Sequence, residues 1–218
     1  MRRPCRVLDE AVGDLVIDPE IVRLDPRSLD EVIDDIEHLR AAIGKSQPAR
    51  SLAIELCERV RWVEATLKNA DSHPRVLFLD WMDPVIVTGH WVPDVVERAG
   101  GQYGVVDGGD TSREAERHRI RKYDPEYVFI VPCGYSIADT EDHIHELTVR
   151  EGWDGLAAVR GHGTYLIEGC GYINCRGPNL VDSVELLVSL FHSDTDFIPS
   201  EMRDVYRPVY EPQAVSEL

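Results

Sequence analysis

Cysteines, histidines and a set of aromatic residues are the side chains through which this 218-residue chain could act. Cys133, in Pro132-Cys133-Gly134-Tyr135, is the best placed to be a nucleophile. A thiolate needs a base or a helix N-terminus beside it. The segment from Ile137 could supply the helix, but no Cys-His-Asn pattern supplies the base, and a small buried residue closing a strand is the simpler account. Cys170 and Cys175 are the closest cysteine pair. They read either as a disulfide or half a metal site, or as two small residues in a glycine-rich loop. No Cys-x-x-Cys occurs, and a structural zinc site wants four ligands at close spacing. His143 and His145 are two apart on one helical segment, so they point to different faces. His90 is the histidine best placed for a metal held by imidazole and carboxylates from facing elements.

The elements that must position these groups follow from apolar periodicity. Residues 75–80 (RVLFLD), 127–131 and 164–167 are short, nearly continuous apolar runs, as expected of strands buried on both faces. Between them the pattern changes to helical spacing. Helices are expected over 92–99, closed by Gly100-Gly101, then over 112–122, 137–149 and 180–191, with a helical turn over 153–159. Upstream, Ser28-Leu29-Asp30-Glu31 reads as an N-cap with a capping box. It precedes apolar residues at Leu29, Val32, Ile33, Ile36, Leu39 and Ile43, with Gly44 as C-cap. A second helix runs from about Pro48 to Ala70. Twenty-two residues make it about 33 Å long, more a strut than a crossover. Residues 14–24 read as a short strand and its approach. The tail after His192 has little periodicity and is expected to be loosely held.

Strands alternating with helices give a parallel α/β domain. Ligands of such sheets sit at the carboxyl ends of strands. The loops there contain Trp81, His90, Trp91, Tyr135, Tyr172, Asn174 and Arg176, more aromatic surface than a bland loop needs.

Composition excludes several functions. Forty Asp+Glu against 23 Lys+Arg give a formal charge of −17. Only Lys45, Lys68 and Lys122 are lysines; the other 20 cations are arginines. Such a surface repels nucleic-acid phosphates and anionic lipid. Arg113–Lys122 is the nearest thing to a basic patch, and Glu114 and Glu116 dilute it. An acid-rich, lysine-poor surface suits high salt, where counterions screen self-repulsion, and points to a halophilic source. No apolar run approaches the roughly 20 residues that span a bilayer. The start, Met1-Arg2-Arg3-Pro4-Cys5, has no apolar core of a secretory signal. As written, the chain is expected to stay in the cytoplasm.

Three stretches, in order and suitably spaced, carry a resemblance: RVLFLDWMDPVIVTGHWVPDVVERAGG, DPEYVFIVPCGYSI and GWDGLAAVRGHGTYLIEGCGYINCRGPNLVDSVELLVSLFHSD. They resemble the C-terminal lobe of ABC-importer substrate-binding proteins of the iron-siderophore/vitamin B12 class. The similarity covers roughly residues 5–194. WMDP, GHWVP and PCGY resemble the cobalamin-binding members. The resemblance implies a two-lobed fold with each lobe an α/β domain, joined by one long helix to which 48–70 corresponds. It implies a non-covalently held ligand, with Trp81, His90, Trp91, Tyr135 and Tyr172 in the matching loops, and no catalysis, metal or cofactor. An aromatic face suits a flat corrin ring. Arg176, at the start of Arg-Gly-Pro, could meet the anionic chelate of a siderophore, the rival ligand. The implied partners are an ABC permease and its ATPase, and Glu97, in VVERAGG, matches the carboxylate by which this lobe docks.

The chain also departs from the pattern. A full member would carry about 80–100 further residues upstream, by the usual size of a lobe. The expected organisation is therefore a remnant of the N-terminal lobe over 1–45, a linking helix over 46–73, the C-terminal lobe over 74–194 and a tail over 195–218. Members of the cobalamin-like group often carry a Cys-x-x-Cys where this chain has Cys5 followed by Leu8. A shortened lobe would leave the cleft open on one side and expose apolar surface, which favours a homodimer or a partner chain. A homologue that has lost binding, and a zinc/manganese-binding relative centred on His90, are the further readings.

Overall fold

The computed structural model describes residues 21–44, 46–68, 72–192 and 202–210, with residues 12, 70 and 198. Among them, helix α1 (Leu29–Ile43) begins at Ser28, whose hydroxyl accepts from the Glu31 N–H at 3.2 Å. The Glu31 carboxylate reaches back one residue further than a capping box requires and accepts from the Arg27 N–H at 2.7 Å. Gly44 closes the helix at φ +66°, the left-handed geometry glycine adopts without strain. Helix α2 (Ser46–Leu67) packs against it as a hairpin, burying Ala53, Leu56, Val60 and Val63. It stops short of Ala70, whose N–H returns to the Leu67 carbonyl at 2.9 Å.

The core lies on a sheet of β1 (Val76–Trp81), β2 (Ile86–Val87), β3 (Arg113–Glu114), β4 (Tyr127–Ile130), β5 (Thr164–Ile167) and β6 (Tyr206–Pro208), in the order β3-β2-β1-β4-β5-β6 among the described residues. Strands β1, β4 and β5 are parallel, as their apolar runs predict. Their register lines up Phe78, Phe129 and Tyr165 across the sheet. The rings stack at 4.6 Å and 5.6 Å, so the pairing sets both backbone and side-chain layers. Helices α3 (Val92–Arg98) and α8 (Leu180–Phe191) cover one side of this centre, and α8 presents Val181, Val184, Leu187 and Val188 to the core.

Two of the expected helices differ in the structure. Residues 112–122 are not one helix. Strand β3 (Arg113–Glu114) first pairs with β2 (Ile86–Val87), and only then does α4 (Arg117–Tyr123) begin. Two-residue antiparallel strands at an edge carry no periodicity to read. The helix over 137–149 is split at Ile144 into α5 (Ile137–His143) and α6 (His145–Thr148). Between β4 and β5, α7 (Ala157–Arg160) supplies the expected turn.

The tail needs the largest correction, because part of it belongs to the sheet. Strand β6 (Tyr206–Pro208) pairs antiparallel with β5, and Glu168 N–H donates to the Val205 carbonyl at 2.8 Å. The open edge of β5 would otherwise leave backbone donors and acceptors unpaired. Pro208 is tolerated because an edge strand need not donate on both sides. The short strand expected over 14–24 falls mostly outside the described residues, as does Cys5; residues 21–24 are irregular. No described helix is long and apolar enough to cross a membrane.

Candidate functional site

The parallel strands end on one edge, where the loops after β1, β4 and β5 meet. They enclose a cavity of about 210 Å³ lined by Asp80, Thr88, His90, Trp91, Cys133, Ile173, Asn174 and Arg176, with Gly89, Val92 and Ser112 completing it. His90, Trp91 and Arg176 are therefore brought together as the sequence suggests. Asp80, Thr88 and Ser112 were not singled out by sequence reasoning. Asp80 could have been, since it is the first polar residue after the apolar run of β1.

The Gly89-His90-Trp91 turn is fixed from outside. A Cβ on Gly89 would lie 2.3 Å from the Asp110 carbonyl oxygen, so only glycine fits there. The Gly89 N–H donates to the Ser112 hydroxyl at 3.1 Å, and the Thr88 hydroxyl donates to Asp80 at 2.9 Å. His90 follows at φ +58°.

Trp91 is part of the wall rather than an exposed ligand face, being only 6 % exposed. Its indole N–H donates to the Ile173 carbonyl at 2.8 Å, and the Arg176 guanidinium carbon stands 5.7 Å from the ring centroid. Trp91 thus ties the loop after β5 to the start of α3. Asn174 ties the same loop to β4 through a 2.8 Å bond to the Val131 carbonyl.

Trp81 and Tyr135 form a separate half-exposed pair at the same strand ends, with centroids 5.2 Å apart and an edge-on angle of 69°. The Trp81 N–H donates to the Asp83 carbonyl in its own loop at 3.1 Å. Tyr135 also meets the His143 ring at 5.3 Å. Tyr172 does not line the cavity; it is half-buried against the core. Glu97 lies elsewhere, exposed on α3 beside a hollow between α2 and α3. Its neighbour Arg98 is occupied by Asp30, Glu64 and Asp94, which leaves the Glu97 carboxylate without an ion-pair partner among the described residues.

Cys133 is poorly suited to nucleophilic chemistry. It is exposed, not the buried residue expected at a strand end, but partial desolvation pushes its thiol up, and the Asp80 carboxylate and Cys170 push it the same way. Raising a thiol's pKa depletes the thiolate at neutral pH. Iodoacetamide is expected to alkylate Cys133 at pH 7 more slowly than a free cysteine, the rate climbing only above the ordinary thiol range. Peptide mass spectrometry over a pH series checks this, and a faster-than-free rate at pH 7 would restore the nucleophile. Cys57, Cys133, Cys170 and Cys175 are free thiols, so the Cys170–Cys175 pair is not a disulfide. His143 and His145 each place a ring nitrogen against a backbone carbonyl, those of Asp139 and Asp142 at 2.8 and 3.1 Å, at the break between α5 and α6. No group of three or more metal-ligating side chains stands together among the described residues.

No protein-family model matches the sequence, and no curated protein matches it. Solved structures do. An ABC transporter substrate-binding protein from Listeria monocytogenes superposes with a TM-score of 0.74 at 16 % identity, over 86 % of this chain and 73 % of that one. Staphylococcus aureus IsdE complexed with heme gives 0.70 at 19 % identity, over 78 % and 67 %. The periplasmic vitamin B12 binding protein BtuF of Vibrio cholerae gives 0.62 at 18 % identity, over 85 % and 69 %. None of the three is named as an enzyme. At these identities the likeness shows the fold: a mixed α/β arrangement of the kind found in two-lobed periplasmic binding proteins.

Proposed function

We propose that this chain is the ligand-binding component of an ABC importer and that it holds a corrinoid, cobalamin or a close relative, without covalent chemistry. The observation that carries this is the edge where Trp81 and Tyr135 stand half-exposed beside the cavity walled by Trp91. Aromatic faces with a few polar groups suit a large, flat, amide-rimmed ring. Solved relatives are named for heme and vitamin B12, and others for iron or a ferric hydroxamate, so their names are compatible with a flat macrocycle and with a siderophore alike. The charge balance of the cavity supports the corrinoid reading. Arg176 is matched by Asp80, so a strongly anionic chelate finds no surplus of cations there. Glu97 is the proposed contact with the permease, which its ATPase drives, and an importer's binding component works on the outer side of the membrane that holds that permease.

Arg176 carries the second reading. It is exposed, and its guanidinium could meet an iron-siderophore. A fluorescence competition separates the two. Cyanocobalamin is expected to quench tryptophan emission saturably at a 1:1 ratio, and a ferric hydroxamate is expected neither to quench nor to displace it. Quenching by the hydroxamate alone would favour the second reading, and the absence of quenching by either ligand would count against both.

A further inference from the structure

We infer that His90 is an axial ligand: one nitrogen of its ring binds the metal at the centre of the flat macrocycle that the cleft accepts. This rests on the corrinoid reading of the cleft and adds to it a specific bond and a preference among corrinoids.

The first ground is backbone geometry. His90 has φ +58°, a left-handed conformation that is strained for a side-chain-bearing residue and persists where the surroundings enforce it. They do so here from both sides. The His90 N–H donates to the Asp110 carbonyl, and the His90 carbonyl accepts from the Gly109 N–H at 2.9 Å. The close approach of Gly89 to Asp110 completes the grip. A loop that needed only a turn here could place asparagine or glycine without strain.

The second ground is the ring itself. It lines the cavity, tilted 37° to the Trp91 ring at 5.8 Å, and makes no hydrogen bond among the described residues. His162 shares the left-handed backbone, at φ +57°, and its ring meets only Tyr210, but it is exposed and lies outside the cavity. The rings of His73, His143 and His145 meet backbone carbonyls, and those of His38 and His118 meet carboxylates. His90 is thus a half-buried imidazole held in a fixed direction at the cleft with its nitrogens uncommitted. A metal ligand needs one such free nitrogen, and imidazole is a common one.

The step is a ligand exchange. In aquocobalamin the cobalt–water bond breaks, water leaves, and the lone pair of the neutral imidazole forms a cobalt–nitrogen bond. Cobalt stays in the +3 state and no oxidant or reductant is needed. Cyanocobalamin, whose cyanide is held far more firmly than water, provides the control.

The test is visible absorption of the purified protein with each cobalamin. Bound aquocobalamin is expected to take on the spectrum of an imidazole–cobalamin adduct, and bound cyanocobalamin to keep its own. Wild type is expected to hold aquocobalamin about tenfold or more tightly than His90→Gly does. Glycine suits φ +58°, and His90→Asn, also tolerant of that backbone, serves if His90→Gly does not fold. With either folded variant the adduct spectrum should vanish, and millimolar free imidazole should restore it with His90→Gly. An unshifted spectrum for aquocobalamin bound to wild type, or an adduct spectrum that survives in the variant, overturns the proposal. If cyanocobalamin binds while aquocobalamin shows no shift, only the ligation fails. If neither binds, the corrinoid reading falls with it.

Discussion

Replacing Trp91 with alanine is expected to lower the folding stability by about 3–5 kcal/mol, the range for deleting a large buried aromatic side chain. Three losses combine. The indole is buried, so its removal leaves a cavity between α3 and the loop after β5. The Ile173 carbonyl loses its 2.8 Å donor in a residue that is itself buried. The Arg176 guanidinium loses the ring beneath it. Trp91→Phe keeps most of the bulk but not the donor, and is expected to cost about 1–3 kcal/mol, the penalty of an unsatisfied buried carbonyl. Equilibrium urea unfolding of the two variants measures both. A loss below about 1 kcal/mol for Trp91→Ala would mean that the ring is not the anchor of the loop.

The second large effect is expected at Arg59, which joins α2 to α8. Its guanidinium donates to both carboxylate oxygens of Glu185, at 2.8 and 2.6 Å, and to Asp182 at 2.5 Å. These bonds, that to Glu185 foremost, hold the guanidinium protonated against the cost of burial. Arg59→Met removes the only cation that this network shows and leaves two carboxylates one turn apart, Glu185 largely buried. A loss of about 2–4 kcal/mol is expected; partial exposure keeps it below the full cost of a buried orphan charge. Adding Asp182→Asn and Glu185→Leu to Arg59→Met should recover most of it, because a network replaced as a whole leaves no charge unpaired. No recovery in the triple variant would show that the loss comes from packing of the arginine stem instead.

Both effects illustrate which features the sequence discloses. The parallel centre was legible because burial on both faces leaves unbroken apolar runs such as Val76–Leu79 and Val128–Ile130. Helix α8 was legible for a related reason, its apolar spacing between Asn179 and His192. Strands β2, β3 and β6 were not. They exist because an adjacent edge accepts them, which is a property of the partner and not of their own residues. At the site, sequence could place Trp81, His90, Trp91 and Tyr135 at strand ends but could not sort exposed from buried aromatics. Trp91 is buried because Ile173, 82 positions away, offers its carbonyl to the indole. The left-handed turn at His90 depends likewise on Asp110, a distant segment that no local pattern announces.

The proposal that the aromatic edge at the strand ends holds a corrinoid is tested most directly by equilibrium dialysis of cyanocobalamin against the purified protein and against the Trp81→Ala/Tyr135→Ala double variant. Trp81 is half-exposed, and Tyr135, though it also packs partly against the core, meets Trp81 edge-on, so the pair is removed together and urea unfolding of the double variant separates lost binding from lost folding. Wild type is expected to retain one cobalamin per chain, and the double variant to bind roughly a hundredfold more weakly, from the loss of two aromatic contacts. Equal retention by wild type and double variant, or no retention by wild type at ligand concentrations of about a millimolar, where only complexes weaker than roughly 4 kcal/mol escape detection, would contradict it.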